Sequence, residues 1–336
     1  MIGTEEAVKL RKFEELLVLA KQNGPVQVVL AAAQDEEALR AVKSAYDAGL
    51  AEATLVGDSK LIRPMLAKVG LSPDTRIVHE MDVAQAAVLA AGIVKKTKAG
   101  ILMKGLVNSS DFLRAVLHSE CGLRTNRLLC HLAAFEVPGD EKLIFHTDGG
   151  MNIAPTLAEK KDILQSALLA LAALGIEHPN VAILTANEVV NPKMPATMDA
   201  QALVEMNRQG EFGSALLEGP ISMDVALSRE AAAHKGIISR VSGQVDLFLV
   251  PGIEAGNLLG KALIYCAHAK SAGVIIGATH PVVMVSRADS ASAKLNSIAL
   301  ACCIASGQGE NVIDRNKAYF AQEQGFLNGR SKKQRH

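Results

Sequence analysis

The segment 282–305 brings a hydroxyl, a guanidinium and a carboxylate together where an apolar run gives way to a helical pattern. Ser286, Arg287 and Asp289 follow the run V-V-M-V, which is typical of a buried strand, and a helix packed on several sides is predicted from Ala291 onwards. Backbone N–H groups and the helix dipole favour an anion at such a junction. We therefore predict that Ser286 and Arg287 hold a phosphate-bearing substrate. The alternative is a capped helix with a surface arginine.

A second strand-to-helix junction, K-G-L-V-N-S-S-D-F-L-R, has the same character. Lys104 ends an apolar run, and Asn108, Ser109 or Ser110 can cap a helix that carries Arg114 in its first turns. A lysine, a glycine and hydroxyls at this place favour a second anion site. Lys104, Ser109, Ser110 and Arg114 are therefore candidate substrate-binding residues, and an ordinary capped helix is the alternative.

Three other segments place polar residues or glycines after predicted strands. T-D-G-G-M-N contains Asp148, which can line a binding site or serve as a turn residue. E-G-P-I-S-M-D places Asp224 just before a predicted helix. P-G-I-E-A-G-N contains Gly256 and Asn257 at a predicted helix start, where the backbone can approach a ligand closely. Thr279 completes the set of candidate substrate-binding residues.

These junctions recur because short apolar runs alternate with helical segments along most of the chain. This alternation predicts an α/β fold with a mostly parallel sheet covered by helices, in which ligands bind at the carboxyl ends of strands. Asp35 is expected to open a helix. The run Leu128–Val137 predicts either one strand or a crossing between domains, and Asn187–Thr197, with two prolines, is predicted to be a loop.

Length and composition limit the class of protein. The 336 residues suffice for two domains, and 35 basic residues balance 35 acidic ones, which argues against nucleic-acid binding. No apolar run approaches the roughly 20 residues of a membrane span, and the charged N-terminal residues predict a helix rather than a signal peptide. Five cysteines without C-x-x-C spacing indicate reduced core thiols in a cytoplasmic protein. No zinc-type spacing occurs, so no metal site is predicted. The sequence also contains no dinucleotide fingerprint.

Taken together, the motifs resemble the phosphate acetyl/butyryltransferase family. The resemblance covers roughly residues 10–305 and keeps the order of the family's motifs. The segments N-P-K-M-P-A-T and S-R-A-D-S are closer to the butyryl-type members than to the acetyl-type members. The motifs that carry the resemblance lie at residues 104–114, 146–155, 191–197, 218–224, 250–257 and 286–290.

The resemblance implies two α/β/α domains with the active site in a cleft between them, as in isocitrate and isopropylmalate dehydrogenases. The first domain would comprise residues 1–135 and 275–336, and the second residues 136–274. The resemblance further implies a homodimer that catalyses acyl-CoA + phosphate ⇌ acyl phosphate + CoA, with acyl-CoA and inorganic phosphate as substrates and no cofactor. In this family pattern Ser286 donates a hydrogen bond to the reacting group, while Arg287 and Arg114 bind phosphate or the carbonyl oxygen.

One position departs from the family pattern. Acetyl-type members carry an aspartate seven residues after the motif serine, where it is regarded as the base for the CoA thiol, and this chain has Ala293 there. Asp289 is the nearest carboxylate in the sequence, and it can act either as that base or only as a helix cap.

Two other functions compete with this one. An inactive regulatory module of the same fold would sense acyl-CoA, but the chain keeps Ser286, Arg287 and Arg114. A decarboxylating dehydrogenase of the related fold would need an aspartate cluster for a divalent metal and a nucleotide loop, and neither pattern occurs in the sequence.

Overall fold

The computed structural model describes residues 10–286 and 289–307, which form two compact units. The discontinuous unit comprises residues 10–143 and 260–307, and the inserted unit comprises residues 144–259. The described residues alternate between strands and helices, which confirms the predicted α/β class.

The elements are numbered in chain order. The strands are β1 (Val26–Ala31), β2 (Ala51–Gly57), β3 (Arg76–His79), β4 (Gly100–Lys104), β5 (Cys130–Glu136), β6 (Ile144–Thr147), β7 (Asn180–Leu184), β8 (Leu216–Ile221), β9 (Leu247–Leu249), β10 (Lys270–Ile276) and β11 (Val282–Val283). The helices are α1 (Phe13–Gln22), α2 (Glu36–Asp47), α3 (Ser59–Val69), α4 (Val83–Val94), α5 (Ser109–Val116), α6 (Leu157–Ala173), α7 (Pro195–Arg208), α8 (Met223–Leu227), α9 (Arg229–His234), α10 (Ile253–Tyr265) and α11 (Ala291–Gly307).

The sheet of the discontinuous unit has the strand order β3-β2-β1-β4-β11-β10-β5. The predicted parallel pairing is confirmed for β1 to β4 and for β11, whereas β10 runs antiparallel to both of its neighbours. The run Leu128–Val137 forms one strand, β5, and β10 pairs with it over its whole length. Residues 260–274 cluster with the discontinuous unit, whereas the family resemblance implies a return to the first domain near residue 275.

The strand order reverses beside β1, since β2 and β3 lie on one side of it and β4 lies on the other. The carboxyl ends of β1 and β4 thus form a topological switch point, the place where open α/β sheets bind ligands. Asp35 caps α2 directly after β1, as predicted, because its carboxylate accepts the N–H groups of Glu37 and Ala38 at 3.1 and 3.2 Å.

Helix α11 is the most extensively buried of the described helices of this unit. Residues 296–305 are all buried, and the helix packs against α1, α2 and β10. Its small residues allow close approach on every side, so the predicted burial is confirmed. The preceding strand is shorter than predicted, because only Val282 and Val283 pair in the sheet.

The inserted unit has the parallel strand order β6-β9-β7-β8. The prediction that Asn187–Thr197 is entirely loop was wrong at its end, since α7 begins at Pro195, and proline is favourable in the first turn of a helix. The segment E-G-P-I-S-M-D was predicted to follow a strand, but its first four residues still belong to strand β8, which ends at Ile221.

The structure tests the predictions about the cysteines and about membrane spans. Cys130, Cys302 and Cys303 are buried thiols that form no disulfide, but Cys266 is exposed at the end of α10, so the prediction of core thiols was wrong for this residue. Within the described ranges, no helix has the length and apolar character that crossing a membrane requires.

Candidate active site

The carboxyl ends of β1, β4 and β11 meet at one edge of the discontinuous unit, called the switch edge below. The chain after β4 follows that of β1 closely, because Gly105 and Leu106 donate N–H groups to the carbonyls of Ala31 and Ala32 at 2.9 and 2.8 Å. A Cβ at Gly105 would lie 2.5 Å from the Ala32 oxygen, so only glycine fits there. Lys104, the last residue of β4, is half-buried at this edge.

Helix α5 begins at the switch edge with exposed hydroxyls. Asn108 caps it by accepting the Asp111 N–H at 2.8 Å, so Ser109 and Ser110 are the first two helical residues and both are exposed. Arg114 lies one turn later, with 74% of its side chain exposed and an ion pair to Asp111. The structure therefore places three predicted site residues on helix α5, with Ser109 and Ser110 exposed at its start and Arg114 in its last turn.

Ser286 lies between β11 and α11 at the same edge and is exposed. Its N–H donates to the Asp289 carboxylate at 2.7 Å, and Asp289 in turn donates its N–H to the Ser286 carbonyl at 3.1 Å. The cap of α11 is Ser290, whose Oγ accepts the Ala293 N–H at 3.1 Å. Asp289 therefore holds the Ser286 backbone instead of capping the helix. Arg287 lies outside the described residues.

Thr279 is separated from these residues. It lies in the connection from β10 to β11, ahead of the amino end of β11, where its N–H donates to Leu123 at 2.8 Å. Because β11 is parallel to β4, this position is at the edge opposite the switch edge. The structure thus gives no geometric support for grouping Thr279 with Ser286.

In the inserted unit, Asp148 follows β6 and is 2% exposed. Its carboxylate accepts N–H groups from Gly150, Met151 and Asn152 at 2.8, 3.0 and 3.2 Å, and the Asn152 side-chain amide at 2.6 Å. Asp148 therefore serves as the turn residue that the sequence allowed. Its carboxylate oxygens accept hydrogen bonds from its own loop.

Gly256 and Asn257 were predicted at the start of a helix, but α10 begins at Ile253, and both lie inside it. A Cβ at Gly256 would lie 2.5 Å from the Gly149 Cα, so the glycine is required by backbone packing between α10 and the loop after β6. Asn257 directs its side-chain amide toward the Gly149 carbonyl at 3.5 Å. The close approach that we predicted for a ligand is made by the protein's own backbone.

Asp224 belongs to a charged cluster at the carboxyl ends of β7 and β8. The Ser222 hydroxyl lies between the carboxylates of Glu188 and Asp224, 2.5 Å from Asp224, and has one proton to share between them. Lys235 lies 2.9 Å from Asp224 and 3.0 Å from Glu188. The Ser222 hydroxyl and then the Lys235 ammonium lower the pKa of Asp224 to about 2. Asp224 lies in the first turn of α8 instead of before it, and it shares the single positive charge of Lys235 with Glu188.

Sequence reasoning missed Lys294, the single charged residue of α11. It is 4% exposed, and its ammonium lies 3.3 Å from Glu37 Oε2. Its signal was a lone charge among small and apolar residues. In the part of the chain that the structure describes, no group of three His, Cys, Asp or Glu side chains is arranged to hold a metal ion.

Comparison with known proteins gives consistent matches over most of the chain. The family model described as "Phosphate acetyl/butaryl transferase" matches residues 71–302. Phosphate butyryltransferase of Clostridium acetobutylicum is 44% identical over 88% of this chain and 99% of that protein, and phosphate acetyltransferase of Thermotoga maritima is 37% identical over 87% and 99%. The crystal structure of a branched-chain phosphotransacylase from Enterococcus faecalis matches with a TM-score of 0.74 and 33% identity, covering 83% of this chain and 99% of that one.

Proposed function

Because the chain belongs to the phosphate acetyl/butaryl transferase family and is therefore a phosphate acyltransferase, we propose that it prefers butyryl or a similar short acyl group to acetyl. The reaction is acyl-CoA + phosphate ⇌ acyl phosphate + CoA. The observation that carries the preference is the higher identity to the butyryl-type relative, 44% against 37% for the acetyl-type one.

The chemistry suits the switch edge. In the direction of thioester formation, the CoA thiolate attacks the carbonyl carbon of the acyl phosphate, a C–S bond forms, and the C–O bond to phosphate breaks with its electron pair leaving on phosphate. The tetrahedral oxyanion needs donors placed beforehand. We assign the hydrogen bond to the reacting group to Ser286, and the contacts with phosphate or the carbonyl oxygen to Arg287 and Arg114. The start of α5 beside Lys104 supports an anion at this edge.

Asp289 is assigned a positioning role in this proposal. Its carboxylate already accepts the Ser286 N–H at 2.7 Å, which fixes the segment that presents the serine hydroxyl. Since Ala293 replaces the aspartate of acetyl-type members, the thiol would ionise through nearby positive charge, which favours a thiolate. Arg287, Arg114 and Lys104 are the residues that would supply that charge.

The proposal also includes the surroundings in which the enzyme works. It acts in the cytoplasm as a homodimer, with acyl-CoA, CoA and phosphate as its substrates and no additional cofactor. The family membership supports these points. Size-exclusion chromatography with light scattering tests the dimer, and a monomeric mass at assay concentration would contradict it.

The decisive experiment measures CoA release from acetyl-, propionyl-, butyryl- and isobutyryl-CoA in phosphate buffer. We expect release to require phosphate and kcat/KM to be highest with a four-carbon acyl group. Release that is fastest from acetyl-CoA would overturn the proposed preference. No release from any of the four would favour the regulatory module that senses acyl-CoA.

A further inference from the structure

Lys294 presents an unusual combination of burial, charge and position. It lies in the first turn of α11 and is 4% exposed. Helix side chains lean toward the helix N-terminus, so its ammonium is carried toward the switch edge. There it lies 3.3 Å from Glu37 Oε2, in the first turn of α2. Lys294 thus brings a buried positive charge to the ends of two helices that both follow strands of the switch edge.

The charge is only partly compensated within the protein. An ammonium has three donors, and Glu37 is the single partner of Lys294 among the described residues, at a distance longer than a good charge-assisted hydrogen bond. The Glu37 side chain is itself 67% exposed, so solvent weakens its compensation of the charge. The positive end of the α11 dipole adds to the potential of the ammonium, whereas that of α2 is offset by the Asp35 carboxylate that caps it. Such a potential is unfavourable for a cation by itself and favourable for an incoming anion.

The neighbouring position strengthens this interpretation. Residue 293, next to Lys294, is alanine, so no carboxylate opposes the ammonium on this turn of α11. Ser290 caps the helix with a neutral hydroxyl, which also adds no charge. The first turn of α11 therefore carries a net positive charge directly after the segment that contains Ser286 and Asp289, and the Asp289 carboxylate accepts the Ser286 N–H.

We propose that Lys294 is a positioning residue that strengthens binding of the phosphate group at the switch edge through the field of its buried ammonium. Glu37 opposes this field, and its carboxylate stabilises the buried ammonium when phosphate is absent. The inference rests on the proposed function, because it concerns the phosphate of that same reaction. It adds a cation that is not among the site residues that the sequence motifs suggest.

The first test replaces the ammonium with an apolar side chain of similar length. In Lys294→Met, the KM for inorganic phosphate should rise about tenfold or more while the KM for acyl-CoA changes little, because a phosphate dianion responds most to a lost buried charge. Lys294→Arg should restore most of the phosphate affinity. The control is Lys68→Met in α3, which removes an exposed ion pair with Glu36, the neighbour of Glu37 in α2. It should leave the KM values for phosphate and for acyl-CoA unchanged. A lower thermal midpoint with an unchanged phosphate KM would reduce Lys294 to a structural ion pair and overturn the proposal.

The second test uses the exposed partner, so it does not depend on whether Lys294→Met folds. Glu37→Gln removes the opposing charge, and the phosphate KM should fall severalfold, in the direction opposite to Lys294→Met. The rise in thermal midpoint on adding inorganic phosphate should become larger than in the wild type. Glu36→Gln, whose partners are Arg40 and Lys68, is the matched control. An unchanged or higher phosphate KM in Glu37→Gln would overturn the proposal.

The outcomes also separate this inference from the proposed function. If the wild-type enzyme turns over with phosphate and both variants keep the wild-type phosphate KM, the proposed role of Lys294 is wrong. The proposed function is then unaffected. A wild-type protein that releases no CoA removes the proposed function. In that case, a thermal shift with phosphate that disappears in Lys294→Met still supports the anion site, and an equal shift in both proteins overturns it.

Discussion

The two units place similar residue types at the carboxyl ends of their strands but use them in different ways. At the switch edge of the discontinuous unit, Ser109, Ser110 and Ser286 expose hydroxyls beside helix starts. In the inserted unit, Asp148 is buried with four donors from its own loop, and Gly256 packs against Gly149. The same sequence signal, a polar residue or a glycine after a strand, therefore marks an open edge in one unit and an internally satisfied loop in the other.

This difference divides the candidate residues by the effect that their replacement should have. A residue whose hydrogen bonds are completed by the protein should mainly affect folding stability when it is changed. A residue that the protein leaves exposed should mainly affect binding and turnover. The following predictions test that division, beginning with the largest expected effect.

Replacing Asp148 should have the largest effect on stability. Asp148→Ala leaves buried N–H groups without their acceptor and should cost about 2–4 kcal/mol of unfolding free energy, measured by urea titration. Asp148→Asn keeps one acceptor oxygen and should cost less. If Asp148→Ala kept wild-type stability and lost only substrate affinity, Asp148 would belong with the binding residues.

Gly256→Ala should cost about 1–3 kcal/mol, because its Cβ would lie 2.5 Å from the Gly149 Cα and the backbone has to shift. Gly92→Ala in α4 is the matched control, since its Cβ would meet Cys121 at an ordinary 3.5 Å. Thermal midpoints of the two variants check the difference. Equal midpoints would show that the loop after β6 yields easily and that Gly256 is not needed for packing.

Asp289 should affect turnover more than stability. Asp289→Ala removes the acceptor of the Ser286 N–H and should lower kcat/KM about tenfold, because small displacements at a reacting group are costly. Asp289→Asn keeps an acceptor and should be nearly silent.

Ser290→Ala is the control for Asp289, since it removes the α11 cap and should cost roughly 1 kcal/mol of stability with little change in kcat/KM. A large loss of turnover in Asp289→Asn at an unchanged thermal midpoint would instead identify Asp289 as the base.

The smallest expected effect is the pH dependence of the charged cluster around Asp224. Ser222 and Lys235 lower the pKa of Asp224 from its usual 3.8 to about 2, so folding is favoured by its charged form. This contribution is fully present above the usual pKa and is lost as the pH falls from about 4 to about 2. The difference in thermal midpoint between wild type and Asp224→Asn should shrink over that range. A difference that stays constant would show that Asp224 is not coupled to its partners.

Local sequence signals predicted the parts of the molecule that depend on neighbouring residues. Asp35 as a cap, the buried helix α11 and the strand-to-helix junction at Lys104 are determined within about ten residues, so pattern and capping chemistry suffice. The antiparallel direction of β10 was not predictable, because periodicity gives no information on strand direction.

The meaning of the candidate residues depended on distant contacts. Gly256 is required because Gly149 lies against it, and the role proposed for Lys294 depends on Glu37, which comes from a distant part of the sequence. Neither partner can be identified from residue types and spacing. The sequence therefore indicated candidate residues at strand ends, and the structure showed at which of those ends the residues already contact the protein's own loops.

The position of β11 in the middle of its sheet has a consequence for synthesis on the ribosome. Strands β10 and β11 separate β4 from β5, yet they are made after the whole inserted unit. A nascent chain that ends before residue 270 has two strand edges open for association with other chains. The inserted unit, residues 144–259, is continuous and can fold first, whereas the first 143 residues must wait for the last part of the sheet. Chaperone demand should therefore be highest during translation of residues 144–269.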